Sequence, residues 1–123
     1  MALDRADEAA SRDAVKSGTE WILGMQSANG GWGSFDADNT FTYLNNIPFA
    51  DHGALLDPPT ADVSARCIGM LAQQGYGSDH PAVARGVVFL LAEQADDGSW
   101  FGRRGTNYIY GTWSVLCAFN ATR

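Results

Sequence analysis

Two stretches of the chain repeat one another. Gly18-Thr19-Glu20-Trp21-Ile22-Leu23-Gly24-Met25-Gln26 runs into Ser27-Ala28-Asn29-Gly30-Gly31-Trp32. Gly86-Val87-Val88-Phe89-Leu90-Leu91-Ala92-Glu93-Gln94 runs into Ala95-Asp96-Asp97-Gly98-Ser99-Trp100. Both fit the template G-x-x-aromatic-aliphatic-aliphatic-x-x-Q-x-x-x-G-x-W. The glutamines (26 and 94) and the tryptophans (32 and 100) are each 68 residues apart. A recurring unit of this kind marks an architecture in which each repeat buries its apolar face on the next. In each copy an apolar helix ends in glutamine, a glycine-containing turn reverses the chain, and tryptophan returns to pack near the helix end. The glutamine amide can hydrogen-bond unpaired backbone groups of neighbouring helix ends while the indole covers them. Gln26, Gly30, Trp32, Gln94, Gly98 and Trp100 are therefore assigned structural roles.

Working outward, the spacing of apolar residues predicts four helices and no strand. The first runs from about Ala6 to Gln26, with Ala14, Gly18, Trp21, Ile22 and Met25 three and four apart, and stops at Asn29-Gly30-Gly31. The second follows Pro58-Pro59, with Thr60 as N-cap and Asp62 well placed against the helix dipole. Its expected stripe is Val63, Cys67, Met70 and Leu71, with Gly75 closing its C-terminus. The third opens at Ser78-Asp79-His80-Pro81, where proline suits the first turn, and runs through Val83, Val87, Leu90 and Leu91 to Gln94. The fourth spans Tyr108 to Asn120 and carries Ile109, Trp113, Leu116 and Phe119. The expected class is all-α.

Between the first two helices, Ser27 to Pro59 shows little periodicity, and a loop that long in a compact domain is usually functional. Trp32, Phe35, Phe41, Tyr43 and Phe49 are interspersed there with Asp36, Asp38, Asp51 and Asp57. From Ser17 to Ala65 there are six acids and no Lys or Arg. An aromatic, acidic surface without counter-charges suits a cationic species better than an anionic one. The same residues could equally cap turns and plug a core.

The 123 residues carry 14 Asp and Glu against 8 Lys and Arg, a net charge of -6. That balance argues against nucleic acid as a partner. No apolar run approaches the roughly 20 residues needed to span a bilayer, and no secretory signal pattern opens the chain, so cytoplasmic is the default. Cys67 and Cys117 sit in apolar helical patterns and are expected to be buried free thiols. His52 and His80 form no metal-ligand pattern, and His80, before Pro81, reads as a helix cap. No phosphate-binding glycine loop and no Ser–His–Asp arrangement is present.

The paired turns resemble the QW motif of the triterpene cyclases, and the likeness extends along the chain. Gly30-Gly31-Trp32-Gly33-Ser34-Phe35-Asp36-Ala37-Asp38-Asn39, Asn46-Ile47-Pro48-Phe49 and Asp57-Pro58-Pro59-Thr60-Ala61-Asp62-Val63 resemble bacterial squalene–hopene cyclases. So do Asp97-Gly98-Ser99-Trp100-Phe101-Gly102-Arg103 and Asn107-Tyr108-Ile109-Tyr110-Gly111-Thr112. The resemblance implies part of an (α/α) barrel or toroid, with residues 1–123 an internal fragment of its catalytic domain. It implies an enzyme that protonates squalene, or a related linear terpene, and cyclises it through carbocations to hopene and hopanol. No metal or organic cofactor is implied. The full-length protein is expected to sit peripherally on the cytoplasmic face of a bacterial cell membrane, with a homodimer as one open assembly.

The proton donor of the family is the central Asp of a D-x-D-D motif, which is absent here and is expected upstream. Asp36-Ala37-Asp38-Asn39 follows a turn and lacks the last Asp, so it is not that donor. Asp62 and Arg66, four apart on one helix face, match family positions beside the acid, where His or Arg stands at Arg66. Arg66 would hold a fixed charge there at any pH, strengthening the acid, but offers no His-mediated reprotonation. Without the resemblance the pair reads as an ordinary helix-surface ion pair. Phe35, where other members have Tyr, and Tyr110 match positions that line the cavity, where aromatic faces attract a cation without trapping it.

Other readings are weaker. A protein prenyltransferase β-subunit would need zinc ligands and a basic diphosphate pocket, and this acidic chain offers neither. A non-catalytic helical binding module with Trp- and Asp-rich loops would not need Q-x-x-x-G-x-W turns at helix ends. A cyclase acting on another terpene remains open. The piece by itself is expected to be inactive and a poor folder.

Overall fold

A computed structural model describes residues 9–47 and 55–123 of the chain. Phe49, Asp51, His52 and the first residues of the expected first helix lie outside them. Four α-helices follow in order: α1 (Ala9–Gly24), α2 (Ala61–Gln73), α3 (Pro81–Ala92) and α4 (Tyr108–Ala121). A short 3-10 turn, Thr42–Asn46, lies in the loop between α1 and α2. Among the described residues the only β pairing is an isolated antiparallel bridge between Gln94 and Trp100, so the all-α class holds.

Local chemistry sets the helix ends. Pro81 occupies the first position of α3, and the His80 ring accepts a 3.3 Å hydrogen bond from the Ala82 N–H, as expected of a cap. At the end of α2, the N–H of Tyr76 reaches the Leu71 carbonyl (3.1 Å) and that of Gly75 reaches Ala72 (3.0 Å). These are the two bonds of a Schellman closure, with Gly75 at its left-handed position. Thr60 holds the N-cap position of α2 but does not cap with its side chain: its hydroxyl is buried without a partner. Its backbone N–H instead donates to the Trp32 carbonyl (3.2 Å), tying α2 to the first turn.

The core gathers Trp32, Ala61, Ala65, Ile68, Leu71, Val83, Phe89, Leu90, Trp100, Val115 and Ala118. α2 is its centre, packed mainly on α4 and also on α3. The buried face of α2 is Ala61, Asp62, Ser64, Ala65, Ile68 and Leu71; the expected Val63, Cys67 and Met70 are only half-buried beside it. The correction for α4 is larger. Gly111, Ser114, Val115 and Ala118 face the core, while Ile109, Trp113 and Leu116 point outward. Trp21 and Leu91 are likewise exposed, and Phe119 is half-buried against the core. Small residues win these contacts because they let helix axes approach closely. A helix apolar on two faces belongs between two layers, and only one is supplied here.

Gly111 shows how close the approach is. A Cβ there would stand 2.6 Å from the Gly102 nitrogen and closer still to the Trp100 carbonyl. Gly69, on α2, has nothing within 4 Å. Gly111→Ala is expected to lower unfolding stability by about 1–3 kcal/mol through overpacking. Gly69→Ala should raise it by about 0.5–1 kcal/mol. Urea denaturation of the two variants beside the parent chain checks the opposite signs.

Candidate functional site at the head of α2 and α4

The repeated turns frame this region, and they match bond for bond. Ser27 N–H donates to the Gly31 carbonyl (2.9 Å) and Gly30 N–H to Ser27 (2.9 Å). The equivalents 68 residues on, Ala95 to Ser99 and Gly98 to Ala95, measure 2.9 and 2.8 Å. Gly30 and Gly98 take φ of +90° and +85°, which a side chain would strain. Gln26 Nε2 closes its turn on the Gly30 carbonyl (2.8 Å), as Gln94 Nε2 does on Gly98 (2.9 Å).

The division of labour differs from the expected one. It is the indole that satisfies the helix end: Trp32 Nε1 donates to the Ile22 carbonyl (2.7 Å) and Trp100 Nε1 to Leu90 (2.6 Å). Both carbonyls lie in the last turn of their helix, where the regular bonding runs out; that of Ile22 has otherwise only the Met25 N–H, at 3.3 Å. Gln26 reaches a neighbouring helix, but at a first-turn carbonyl, that of Ala82 (2.8 Å), and it also accepts from Arg85. Each returning strand is then pinned by a hydroxyl of the next helix. Trp32 N–H donates to Ser64 Oγ (2.9 Å), and Trp100 N–H to Thr112 Oγ1 (3.0 Å).

These pins bring the heads of α2 and α4 together, and with them the residues singled out above. Asp62 is buried in the first turn of α2, 1% exposed. Its Oδ2 accepts from the Arg104 backbone N–H (3.3 Å), and its Oδ1 has no partner. Arg66, one turn later, is exposed and donates from Nη1 to the Tyr110 hydroxyl oxygen (2.8 Å). The expected Asp62–Arg66 ion pair is therefore absent, because Asp62 faces the 102–105 loop and Arg66 faces α4. Tyr110 itself is half-buried, its ring 6.2 Å from Trp113.

Phe35 joins the group through a relay. The Arg104 guanidinium donates to the Ser34 hydroxyl, and Phe35 follows, 78% exposed on a cleft of about 440 Å³. Leu55, Leu56, Asp57, Arg103 and Arg104 share that cleft. Phe35 is thus not a core plug. Phe41 and Tyr43 are also exposed, 6.0 Å apart, whereas Trp32 is buried.

Asp57 organises the loop. Its Oδ2 accepts from the N–H groups of Phe35 (2.5 Å) and Asp36 (2.9 Å). Burial opposes its ionisation, but these bonds, with further ones from the Ser34 backbone and hydroxyl, outweigh it and hold the carboxyl below its ordinary range. Asn39 Nδ2 bridges Asp36 Oδ2 and the Leu55 carbonyl, both at 3.0 Å. Sequence reasoning placed Asp57 in a block but missed this role; an Asp before Pro-Pro at a loop's return was the available signal. Arg104 was missed as well, and no sequence signal marked it.

Both cysteines are free. Burial pushes the Cys67 thiol up to about 12, so it is inert. Cys117 is exposed, contrary to expectation, because α4 turns that face away from the core. Among the described residues no three His, Cys, Asp or Glu side chains come together as metal ligands.

The sequence model of the family "Squalene-hopene cyclase C-terminal domain" matches residues 1–123. The chain belongs to this family. It is 62% identical to a squalene-hopene cyclase of Schizosaccharomyces japonicus, over 99% of this chain and 19% of that protein. To the squalene–hopene cyclase of Zymomonas mobilis it is 60% identical, over 98% of this chain and 19% of the relative. With that of Alicyclobacillus acidocaldarius the identity is 49%, over 94% and 18%. The chain thus spans about a fifth of the length of these cyclases.

Asp57→Ala should destabilise this cyclase-family chain by about 1 kcal/mol at pH 7, since it removes the acceptor of two part-buried N–H groups. A carboxyl with a lowered native pKa contributes stability above its unfolded value, near 4, and loses it as pH falls through the native value. The gap between parent and variant should therefore narrow below about pH 4. Denaturation at pH 7 and pH 3 checks it.

Proposed function

We propose that this chain is the part of a squalene–hopene cyclase that flanks the proton donor and lines the start of the cation path. The observation that carries the reading is that Arg66 holds Tyr110 while Arg104 ties Asp62 to Ser34, beside Phe35, at the heads of α2 and α4. In this reading the donor is an aspartic acid of a D-x-D-D motif outside the chain. The Arg66 guanidinium beside it favours the ionised carboxylate, which makes the acid stronger toward a terminal alkene. Arg66 holds Tyr110 through the phenol oxygen, leaving the Tyr110 proton free to orient a carboxylate or a water. Asp62 offers its unpartnered Oδ1 as a buried acceptor to the same cluster.

Phe35 and the outward rings of α4 then serve the cation. An aromatic face stabilises a passing carbocation by roughly 0.5–2 kcal/mol without forming a bond that would end the cascade. Ile109, Trp113 and Leu116, exposed on α4, supply an apolar wall of the kind a folded linear terpene needs. The two repeated turns are read as the family's QW motifs, holding the layers that carry this wall. The reading includes work at the cytoplasmic face of a membrane; contact with a membrane is supported by the substrate, since a linear triterpene partitions into lipid, and no described helix is long and apolar enough to cross one.

Replacing the matching residues of the Zymomonas mobilis cyclase with this chain tests the reading. The graft should convert squalene to cyclised triterpene, and the chain alone should not. Phe35→Ala in the graft should lower conversion roughly 2- to 30-fold or release partly cyclised products. Gas chromatography with mass spectrometry reads both. A folded graft without cyclisation contradicts the assignment, and an unchanged product profile removes Phe35 from the cation path.

A further inference from the structure

The cleft beside Phe35 holds two arginines and two aspartates, formally balanced, yet neither guanidinium is paired with a carboxylate among the described residues. Its lining combines apolar Phe35, Leu55 and Leu56 with Arg103 and Arg104. Two carboxylates also line the cleft, but Asp57 is engaged by the N–H groups of Phe35 and Asp36, and Asp36 by Asn39. Arg104 uses its backbone N–H on Asp62 and one amino group on Ser34, leaving most of its donors open. Among the described residues Arg103 has no carboxylate within ion-pair distance. Each guanidinium presents five donors in a planar fork matched to a carboxylate.

A hydrocarbon makes no use of two such forks. A chain that ends in an anion satisfies both kinds of lining at once: its tail removes apolar surface from water, and its head takes charge-assisted hydrogen bonds. The cleft, at about 440 Å³, lies within the size range of small-molecule sites. We propose that Arg103 and Arg104 bind the carboxylate of an oxidised, linear terpenoid whose chain lies along Phe35, Leu55 and Leu56. The proposal extends the substrate class of the reading above, and rests on it for placing Phe35 beside the substrate.

The test is titration of the chain with farnesoate, farnesol, laurate and acetate, followed by calorimetry and by amide shifts of residues 33–36 and 102–105. Farnesoate should bind roughly tenfold or more tightly than farnesol, with the preference falling as salt rises. Arg103→Gln should remove most of that preference, and it breaks no hydrogen bond or ion pair among the described residues. Equal binding of farnesoate and farnesol, indifference to Arg103→Gln, or acetate binding as tightly as farnesoate would each overturn the proposal. Laurate binding as well as farnesoate would overturn the terpenoid assignment. Should the chain alone lack a dispersed amide spectrum, the same titration on the graft gives the same decisions. Squalene cyclisation by the graft is a separate readout. Cyclisation without a carboxylate preference sinks this inference alone, and preference without cyclisation sinks the functional reading alone.

Discussion

The rest of the structure depends on how the second helical unit seats on the first turn. Phe89 of α3 closes over Gly31, where a Cβ would lie 2.8 Å from its ring, and Gly86 lies against Trp32 and Ile68 at 2.9 Å by the same measure. Gln26 then spans the junction through Ala82 and Arg85. Turn geometry, helix packing and side-chain hydrogen bonding all meet there, and none has slack. The indole that fills the junction is itself fixed by the Ile22 carbonyl, and the Trp32 backbone N–H binds Ser64, so the end of α1, the start of α2 and the middle of α3 are set by one residue. Burying such a ring contributes roughly 4–6 kcal/mol at 25 cal/mol per Å² over 150–250 Å². That is a large share of a small domain's net stability.

The same logic explains what is left open. Trp21 and Gly18 occupy in the first copy the template positions of Phe89 and Gly86 in the second. Yet Trp21 is exposed, and Gly18 has nothing within 4 Å. Gln94 closes its own turn but makes no bridge like that of Gln26 to Ala82. Among the described residues the first copy's turn receives α3 while its own helix meets no turn; the second copy's helix meets that first turn, and its own turn meets only α4. Two repeats of a stacked series, taken with the one junction between them, have this pattern, as fits a chain that matches a fifth of its relatives' length.

Much of the fold was legible because the repeat encodes its own geometry. The spacing of Gln, Gly and Trp placed both turns, and Pro81 and Gly75 marked the ends of α3 and α2. The faces of the helices were less legible. Periodicity ranks positions by hydrophobicity, so it favoured Ile109, Trp113 and Leu116 over Gly111, Ser114 and Ala118. Close packing inverts that ranking where two helices must approach, since only small residues admit the contact. Resemblance located Asp62, Arg66, Phe35 and Tyr110, but no spacing rule could have supplied their partners. An i,i+4 pair looks like a salt bridge on one helix; it ceases to be one when a loop and a second helix compete for its two ends.

Electrostatics at the site follows from that competition. Asp62 remains buried with one backbone donor and an open oxygen, a costly arrangement unless a further donor completes it. Arg66, released from Asp62, keeps its charge for Tyr110 and for whatever faces the two of them. If the pair had closed, the guanidinium field would have been spent inside α2 and little would reach a neighbouring acid. Separating the two charges by one helical turn, each held by a different element, leaves a cation and an acceptor both available at one end of the fold. Of the two, only the cation can strengthen a neighbouring carboxylic acid, since a carboxylate left behind needs donors such as Arg66 and the Tyr110 hydroxyl, whereas Asp62 can accept.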